Sequence, residues 1–267
     1  MAVRERNNVQ VTGSGPITLL FAHGFGCDQS MWRFLAPSFA QGFTVVTFDL
    51  VGSGNSDLKA YDYEKYGSLQ GYADDILEVI DEVGAETVIY VGHSVSAMTG
   101  MLAGIKAPKR IAAQVMIAPS PCYVNDADYI GGFTRADIDS LLETMESNYL
   151  GWSSNMAPAI MGASGQPELA VELTNSFCRT DPDIARHFAR VTFLSDNRQD
   201  VAKLAAPTLI VQCHDDMIAP RSVGEYLART LPNGTLRLIE NVGHCPHLSA
   251  PGPCVDSMRE FFGTLGV

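Results

Sequence analysis

The sequence predicts an α/β protein, with a mostly parallel, doubly wound sheet and a helical lid inserted late in the chain. Three observations predict it. Short apolar runs rich in Val, Ile and Phe alternate with stretches of helical periodicity. Continuous apolar runs of that kind fit strands buried on both faces of a helix-covered parallel sheet. One block, residues 122–198, breaks the alternation and holds helical stretches without a convincing buried strand. The length, 267 residues of which 46% are hydrophobic and 18% charged, suits one large domain carrying an insertion.

Along the chain, the expected strands are "ITLLFA" (17–22), "FTVVTFD" (43–49), "TVIYVG" (87–92), "AAQVMIA" (112–118), "PTLIVQ" (207–212) and, more weakly, "TLRLIE" (235–240). Between them lie the helical stretches 69–84, 96–108 and 221–232. In the first, Tyr72, Ile76, Val79, Ile80 and Val83 recur at helical spacing, and Gly84 sits where a C-cap belongs. Strand and helix in alternation indicate a doubly wound sheet. Within the exceptional block, "RADIDSLLETMESNYLGW" and "DPDIARHFARVTFLSD" read as helical, with joints such as "MGASGQPE" between them. A helical block between two strands of one sheet is most economically a lid over the sheet's C-terminal edge, where open α/β folds bind ligands. The expected division is a core of residues 1–121 and 199–267 with a lid of 122–198.

Composition excludes several classes of function. No run of about 18 apolar residues is present to span a membrane. The opening "MAVRERNNVQV" is polar where a signal peptide needs an apolar stretch. The net charge of −12, with no basic cluster longer than a pair such as Lys109-Arg110, makes nucleic acid and anionic membranes poor partners. Six cysteines (27, 122, 178, 213, 245 and 254) show neither metal-ligand spacing nor a disulfide pattern, and read as reduced thiols of a cytoplasmic protein. No H-E-x-x-H, clustered Cys/His, Walker loop or G-x-G-x-x-G appears, so neither a metal nor an organic cofactor is expected.

The chemistry gathers around "GHSVSAM" (92–98). A bare G-x-S occurs about once by chance in a chain this long at roughly 7% Gly and Ser. Here, however, "TVIYV" leads in and a helical stretch follows, which is the strand–turn–helix of a nucleophile elbow. The elbow needs small residues beside its serine, and Ser96 can occupy the second small position. A serine hydroxyl needs a base, and an elbow fold brings the acid and then the histidine after it in sequence. "HDDMIAP" offers Asp215 and Asp216, and "NVGHCPH" offers His244 and His247, with one helix and one strand between the two loops. Asp216 is preferred because it precedes Pro220 by a short turn, leaving Asp215 to cap or solvate the loop. His244 is preferred because Gly243 frees the backbone to turn inward, whereas His247, after Pro246, is packed or exposed. Acyl transfer also needs oxyanion donors. "FAHGFGCDQSMW" follows an early strand, so the backbone N–H groups of Phe25 and Val95 form the natural pair, with His23 bracing the loop.

Together these residues resemble the α/β-hydrolase superfamily, and over nearly the whole chain one branch of it. "HGFGCDQSMW", "FDLVGSGNSDL", "PSPCYVND", "GGF", "NYLGW", "DPDIARHFA" and "GHCPHLSAP" look like the RsbQ-like bacterial stress-regulator hydrolases. "YVGHSVSAM" and "HLSAP" are similar to the plant karrikin and strigolactone receptor hydrolases, in which Ser at the fifth elbow position is a recognised variant. The resemblance implies an α/β-hydrolase fold and a Ser94, Asp216, His244 triad with Phe25 and Val95 as oxyanion donors. It also implies a four-helix lid over a small apolar pocket lined by Phe25, Tyr123, Phe133, Trp152 and Phe193, although each ring can equally be lid core. The stress-regulator branch acts with a sensor-phosphatase partner, and the residues leave open whether this chain has one. The leading function is slow serine hydrolysis of a small apolar ester or butenolide-like lactone, with a signalling role. A ligand-binding regulator without turnover and an ordinary metabolic carboxylesterase are the alternatives. Dehalogenases and epoxide hydrolases are disfavoured because they carry Asp where this chain has Ser94.

Overall fold

Leu19 and Phe21 face one side of their strand and Leu20 and Ala22 the other, yet all four are buried. That is the signature of a strand covered on both faces. The computed structural model describes residues 2–162 and 165–267, so positions 163 and 164 of the "MGASGQPE" joint lie outside the described residues. In chain order its elements are α1 (Val3–Arg6), β1 (Gln10–Thr12), β2 (Ile17–Ala22), β3 (Phe43–Phe48), α2 (Leu69–Glu82), β4 (Val88–His93), α3 (Val95–Lys106) and β5 (Ile111–Ile117). Then come α4 (Arg135–Ser147), α5 (Tyr149–Met161), α6 (Pro167–Arg179), α7 (Pro182–Phe193) and α8 (Arg198–Val201). The chain closes with β6 (Thr208–Asp215), α9 (Arg221–Thr230), β7 (Gly234–Val242), α10 (Pro246–Ser249) and α11 (Pro251–Leu265).

Seven strands form one sheet in the order β1-β3-β2-β4-β5-β6-β7, parallel throughout except for β1 on β3. The α/β-hydrolase-type doubly wound sheet expected from the sequence is present. β1, which the sequence reading lacks, is three exposed residues on the edge and so carries no apolar run. β7, the weakly marked strand, is the opposite edge, and only Ile239 in it is fully buried. On one face α2, α3 and α9 pack over Leu20, Val46, Phe48 and Tyr90. On the other, Trp32, Leu35, Phe39 and the α11 stripe Cys254, Val255, Met258, Phe261 and Phe262 cover Leu19, Phe21, Val91 and Val211. α11 is also absent from the sequence reading, although its i, i+4, i+7 apolar spacing is legible.

The helices α4 to α7 stand between β5 and β6 and bury a cluster of their own around Trp152, Phe177 and Phe193. The helical stretch over 135–152 spans two helices, α4 and the start of α5. Asn148, at φ −154° and ψ 75°, leaves helical geometry and its side chain accepts from Gly151 N–H, capping α5. At the base of the insertion Asn197 N–H donates to the Pro121 carbonyl at 2.7 Å, and Cys122 bridges to Asp196. Among the described residues, no helix is long and apolar enough to cross a membrane.

Candidate active site

The strand β4 ends in a turn that only particular residues tolerate. Ser94 has φ +55° and ψ −122°, a rare conformation for a residue with a Cβ. The surroundings hold it there: Ser94 N–H donates to Ile117 O at 2.8 Å, and Ser94 O accepts from Ala97 N–H at 2.9 Å. A Cβ at Gly92 would lie 2.5 Å from Ser96 O, so the strand can run this close to the first turn of α3 only with glycine there. Ser96 is fully buried and its hydroxyl donates to the His23 carbonyl. The second small residue of the elbow is thus a serine that ties the turn to the loop after β2.

Two loops meet this turn. Ser94 Oγ lies 2.7 Å from His244 Nε2, and His244 Nδ1 lies 2.8 Å from Asp216 Oδ2. An ionised carboxylate only accepts, so Nδ1 carries the proton and Nε2 is left to accept from the serine hydroxyl. Asp216 is held in turn, its Oδ1 accepting from Ile218 N–H at 2.8 Å and Ala219 N–H at 3.1 Å. The neighbouring candidates lie elsewhere. Asp215 is exposed, and its carbonyl accepts from Gly243 N–H at 2.8 Å. His247 is completely buried, with its ring 4.8 Å from that of Trp32 and 4.3 Å from that of His93. Both of its ring nitrogens lack a partner among the described residues, and burial pushes its pKa down to about 3. His244 enters the site because Gly243, at φ +106°, presses against α5, where a Cβ would collide with the Met161 carbonyl. His244 N–H there donates to Ile160 O at 2.8 Å.

The expected oxyanion donors lie on two segments, Phe25 on the loop after β2 and Val95 at the start of α3. His23 is fully buried; its Nε2 accepts from Leu50 N–H at 3.0 Å, which leaves Nδ1 as the donor to Gly24 O at 2.9 Å. The side chain braces this loop. Val95 opens α3, so its N–H has no intrahelical acceptor. The N–H of Phe25 bonds to nothing among the described residues.

Beside Ser94 is a narrow cavity with a free volume of about 30 Å³, walled by Phe25, Tyr123, Trp152 and Phe193. Phe133, expected with them, is not part of this wall. Its backbone pairs with Tyr123 and Asn125, and the half-buried ring packs against the cluster of the inserted helices. Sequence reasoning missed Phe177, which stacks on Trp152 at 5.3 Å, and Thr192, Leu173, Ile218 and two thiols, Cys27 and Cys245. Phe177 was findable as the buried end of the amphipathic stretch "PELAVELTNSFCR". Trp152 Nε1 and Thr192 Oγ1 are buried in this wall without a partner among the described residues. Burial raises the Tyr123 phenol to about 12, with the Ser94 hydroxyl acting against the rise. Among the described residues no group of three or more His, Cys, Asp and Glu side chains could hold a metal ion.

The general model of the alpha/beta hydrolase family matches residues 19–257, a span that runs from β2 through both loops to α11. The chain belongs to that family. It is 39% identical to the karrikin insensitive 2 receptor CA of Petunia hybrida, over 93% of each chain. It is 38% identical to the strigolactone esterase D14 of Arabidopsis thaliana, over 96% of each. A solved hydrolase from Oleispira antarctica is 44% identical and superposes with a TM-score of 0.95 over 98% of this chain and 96% of its own.

Proposed function

We propose that this α/β hydrolase cleaves small apolar esters or lactones with Ser94 as nucleophile, His244 as base and Asp216 as its orienter. The observation that carries the reading is the unbroken relay from Asp216 Oδ2 through His244 to Ser94 Oγ, on a serine in a strained turn. In the reaction, His244 Nε2 takes the hydroxyl proton as Ser94 Oγ bonds to the carbonyl carbon. The negative charge that develops on the carbonyl oxygen falls to the N–H groups of Phe25 and Val95. Collapse breaks the acyl–oxygen bond, and the departing oxygen receives the proton from His244. Water, deprotonated by the same nitrogen, then releases Ser94 and an acid. A lactone would leave as a ring-opened hydroxy acid, because its departing oxygen stays tethered to the acyl group.

Residues 122–198 act in this reading as a lid, with Phe25, Tyr123, Trp152 and Phe193 as the ligand pocket. Thr192 and Trp152 offer unpaired donors to it. A signalling role, in which a bound or acylated state alters the lid, is supported by the names of two relatives, one a karrikin receptor and one a strigolactone esterase. A regulatory protein partner belongs to the same proposal. The six unpaired cysteines, five of them buried, support a reducing compartment such as the cytoplasm.

The test is Ser94→Ala. It should abolish both fluorophosphonate labelling and hydrolysis of an activated acetate ester while the melting temperature changes little. Labelling that persists at another residue overturns the assignment.

A further inference from the structure

The residue in front of the proposed nucleophile has no part in that chemistry, yet it touches two of the other loops of the site. His93 ends β4 and is 2% exposed. Its Nε2 lies 2.8 Å from the His244 carbonyl oxygen. A carbonyl only accepts, so Nε2 carries the proton and donates. Nδ1 of the neutral ring is then bare, and it is buried without a partner among the described residues. Burial, reinforced by His247 and His244, holds the pKa well below the usual histidine value, which keeps this single-proton form at neutral pH. The bare nitrogen faces the loop after β2, which carries Phe25, one of the proposed oxyanion donors. A Cβ on Gly24 would sit 2.5 Å from Nδ1 and 3.3 Å from the Ser94 Cβ. The rings of His244 and His247 lie with their centroids 5.1 and 4.3 Å from that of His93.

We propose that His93 is a positioning residue: its Nε2–H, by holding the His244 carbonyl, sets the histidine loop against the serine one residue further along the chain. The inference rests on the Ser94–His244 reading above. Both backbone groups of His244 are tethered, the N–H to Ile160 O in the inserted helices and the carbonyl to β4 of the sheet. Only the second tether runs to the strand that carries Ser94. Without it the buried carbonyl is left unpaired, and the loop is free to relax toward α5. A displacement of about 1 Å at a reacting group costs up to roughly a hundredfold in rate. A side chain that merely filled the space between the loops would have no need of a donor.

The experiment compares His93→Gln, whose amide nitrogen reaches the depth of Nε2, with His93→Met, which has the same length and no donor. Steady-state hydrolysis of an activated acetate ester is normalised to the sites titrated to completion by a fluorophosphonate, so unfolded protein drops out. The Met variant should lose about tenfold to a hundredfold in kcat with KM nearly unchanged, and the Gln variant should recover most of that loss. Should the Met variant be insoluble, His93→Asn replaces it, because its amide stops short of the carbonyl and should lose as much. Wild-type kcat in the variant without a reaching donor, or an equal loss in the Gln variant, overturns the proposal. Ser94→Ala is run alongside. Turnover surviving in that variant would sink the Ser94 reading itself, an outcome distinct from failure of the positioning role.

Discussion

All four polar atoms of His244 are bonded: the ring to Ser94 and Asp216, the N–H to Ile160 O, and the carbonyl to His93. A histidine held this fully has little freedom to give way to a neighbour. His244→Ala is expected to abolish ester turnover, and His247→Leu to leave much of it, both read in the same steady-state assay. Asp216→Asn would offer Nδ1 a donor, move the ring proton to Nε2 and block acceptance from the serine. A loss of about 10⁴-fold in kcat is expected, the size of the analogous change in a serine protease. Asp215→Asn, at an exposed carboxylate, should change little. That Asp216 rather than Asp215 faces the histidine was legible in the short turn before Pro220, whose N–H groups at Ile218 and Ala219 hold the carboxylate. The fate of His247 was not legible, because Trp32 and His93 reach it from distant parts of the chain. Its burial has a pH consequence. The folded pKa of about 3 lies below the unfolded value near 6.5, so the unfolded chain binds the proton first as pH falls. Stability from this site is whole above pH 6.5 and declines toward pH 3, by up to roughly 1.4 kcal/mol per pH unit. His93 and His23, also lowered by burial, act in the same direction. His247→Leu removes one of these groups, so its urea midpoint should fall less steeply than wild type between pH 6.5 and 4. An unchanged slope would show that His247 does not contribute.

At the scale of elements, the turn from β4 into α3 is joined to the loop after β2 by one buried hydroxyl, that of Ser96 on His23 O. Ser96→Ala leaves that carbonyl unpaired and should cost about 1–3 kcal/mol. In a chain of this size that is roughly 2–4 °C in Tm per kcal/mol, measurable by calorimetry. A melting temperature equal to wild type would mean that the bond contributes nothing net. The elbow was legible from its flanks, strand before and helix after, whereas the reason for a serine at its fifth position needed the partner loop. The buried parallel strands were legible because covering on both faces forces an unbroken apolar run. β1 was not, since an exposed three-residue edge strand is held only by its pairing with β3. The inserted helices were legible as helical, and the resemblance implied four, but the break between α4 and α5 was not legible, because Asn148 interrupts an even periodicity with a cap rather than with Gly or Pro.

For the molecule as a whole, the question is how anything reaches Ser94. The free volume beside it, about 30 Å³, is small against the roughly 300–1,000 Å³ usual for a ligand pocket. A ligand of that size is expected to move the inserted helices against the sheet as it binds. Their attachments include polar ties, Arg33 forking onto Glu172 at 2.7 and 2.6 Å, Ser176 donating to Gly26 O and Tyr61 meeting His187, and an apolar one, Phe188 of α7 on Tyr72 with ring centroids 4.7 Å apart. Beneath them Phe25 touches Trp152, Phe177 and Phe193 with centroids 6.0–6.3 Å apart, a contact that a ligand would replace with its own surface. Opening also strains the site, because the Ile160 carbonyl at the end of α5 holds the His244 N–H. A ligand that spreads the aromatic wall would then disturb His244 as well, and on the proposed reading occupancy would be coupled to slow chemistry. Turnover of the best small ester or lactone is expected below about 1 s⁻¹, at or under the floor of the roughly 1–1,000 s⁻¹ usual for metabolic enzymes. The same ligand should change amide hydrogen exchange in α5 to α7 while leaving β4 and β5 protected, in both wild type and Ser94→Ala. Fast turnover of a common ester with no change of exchange in the inserted helices would make this an ordinary carboxylesterase and remove the case for signalling.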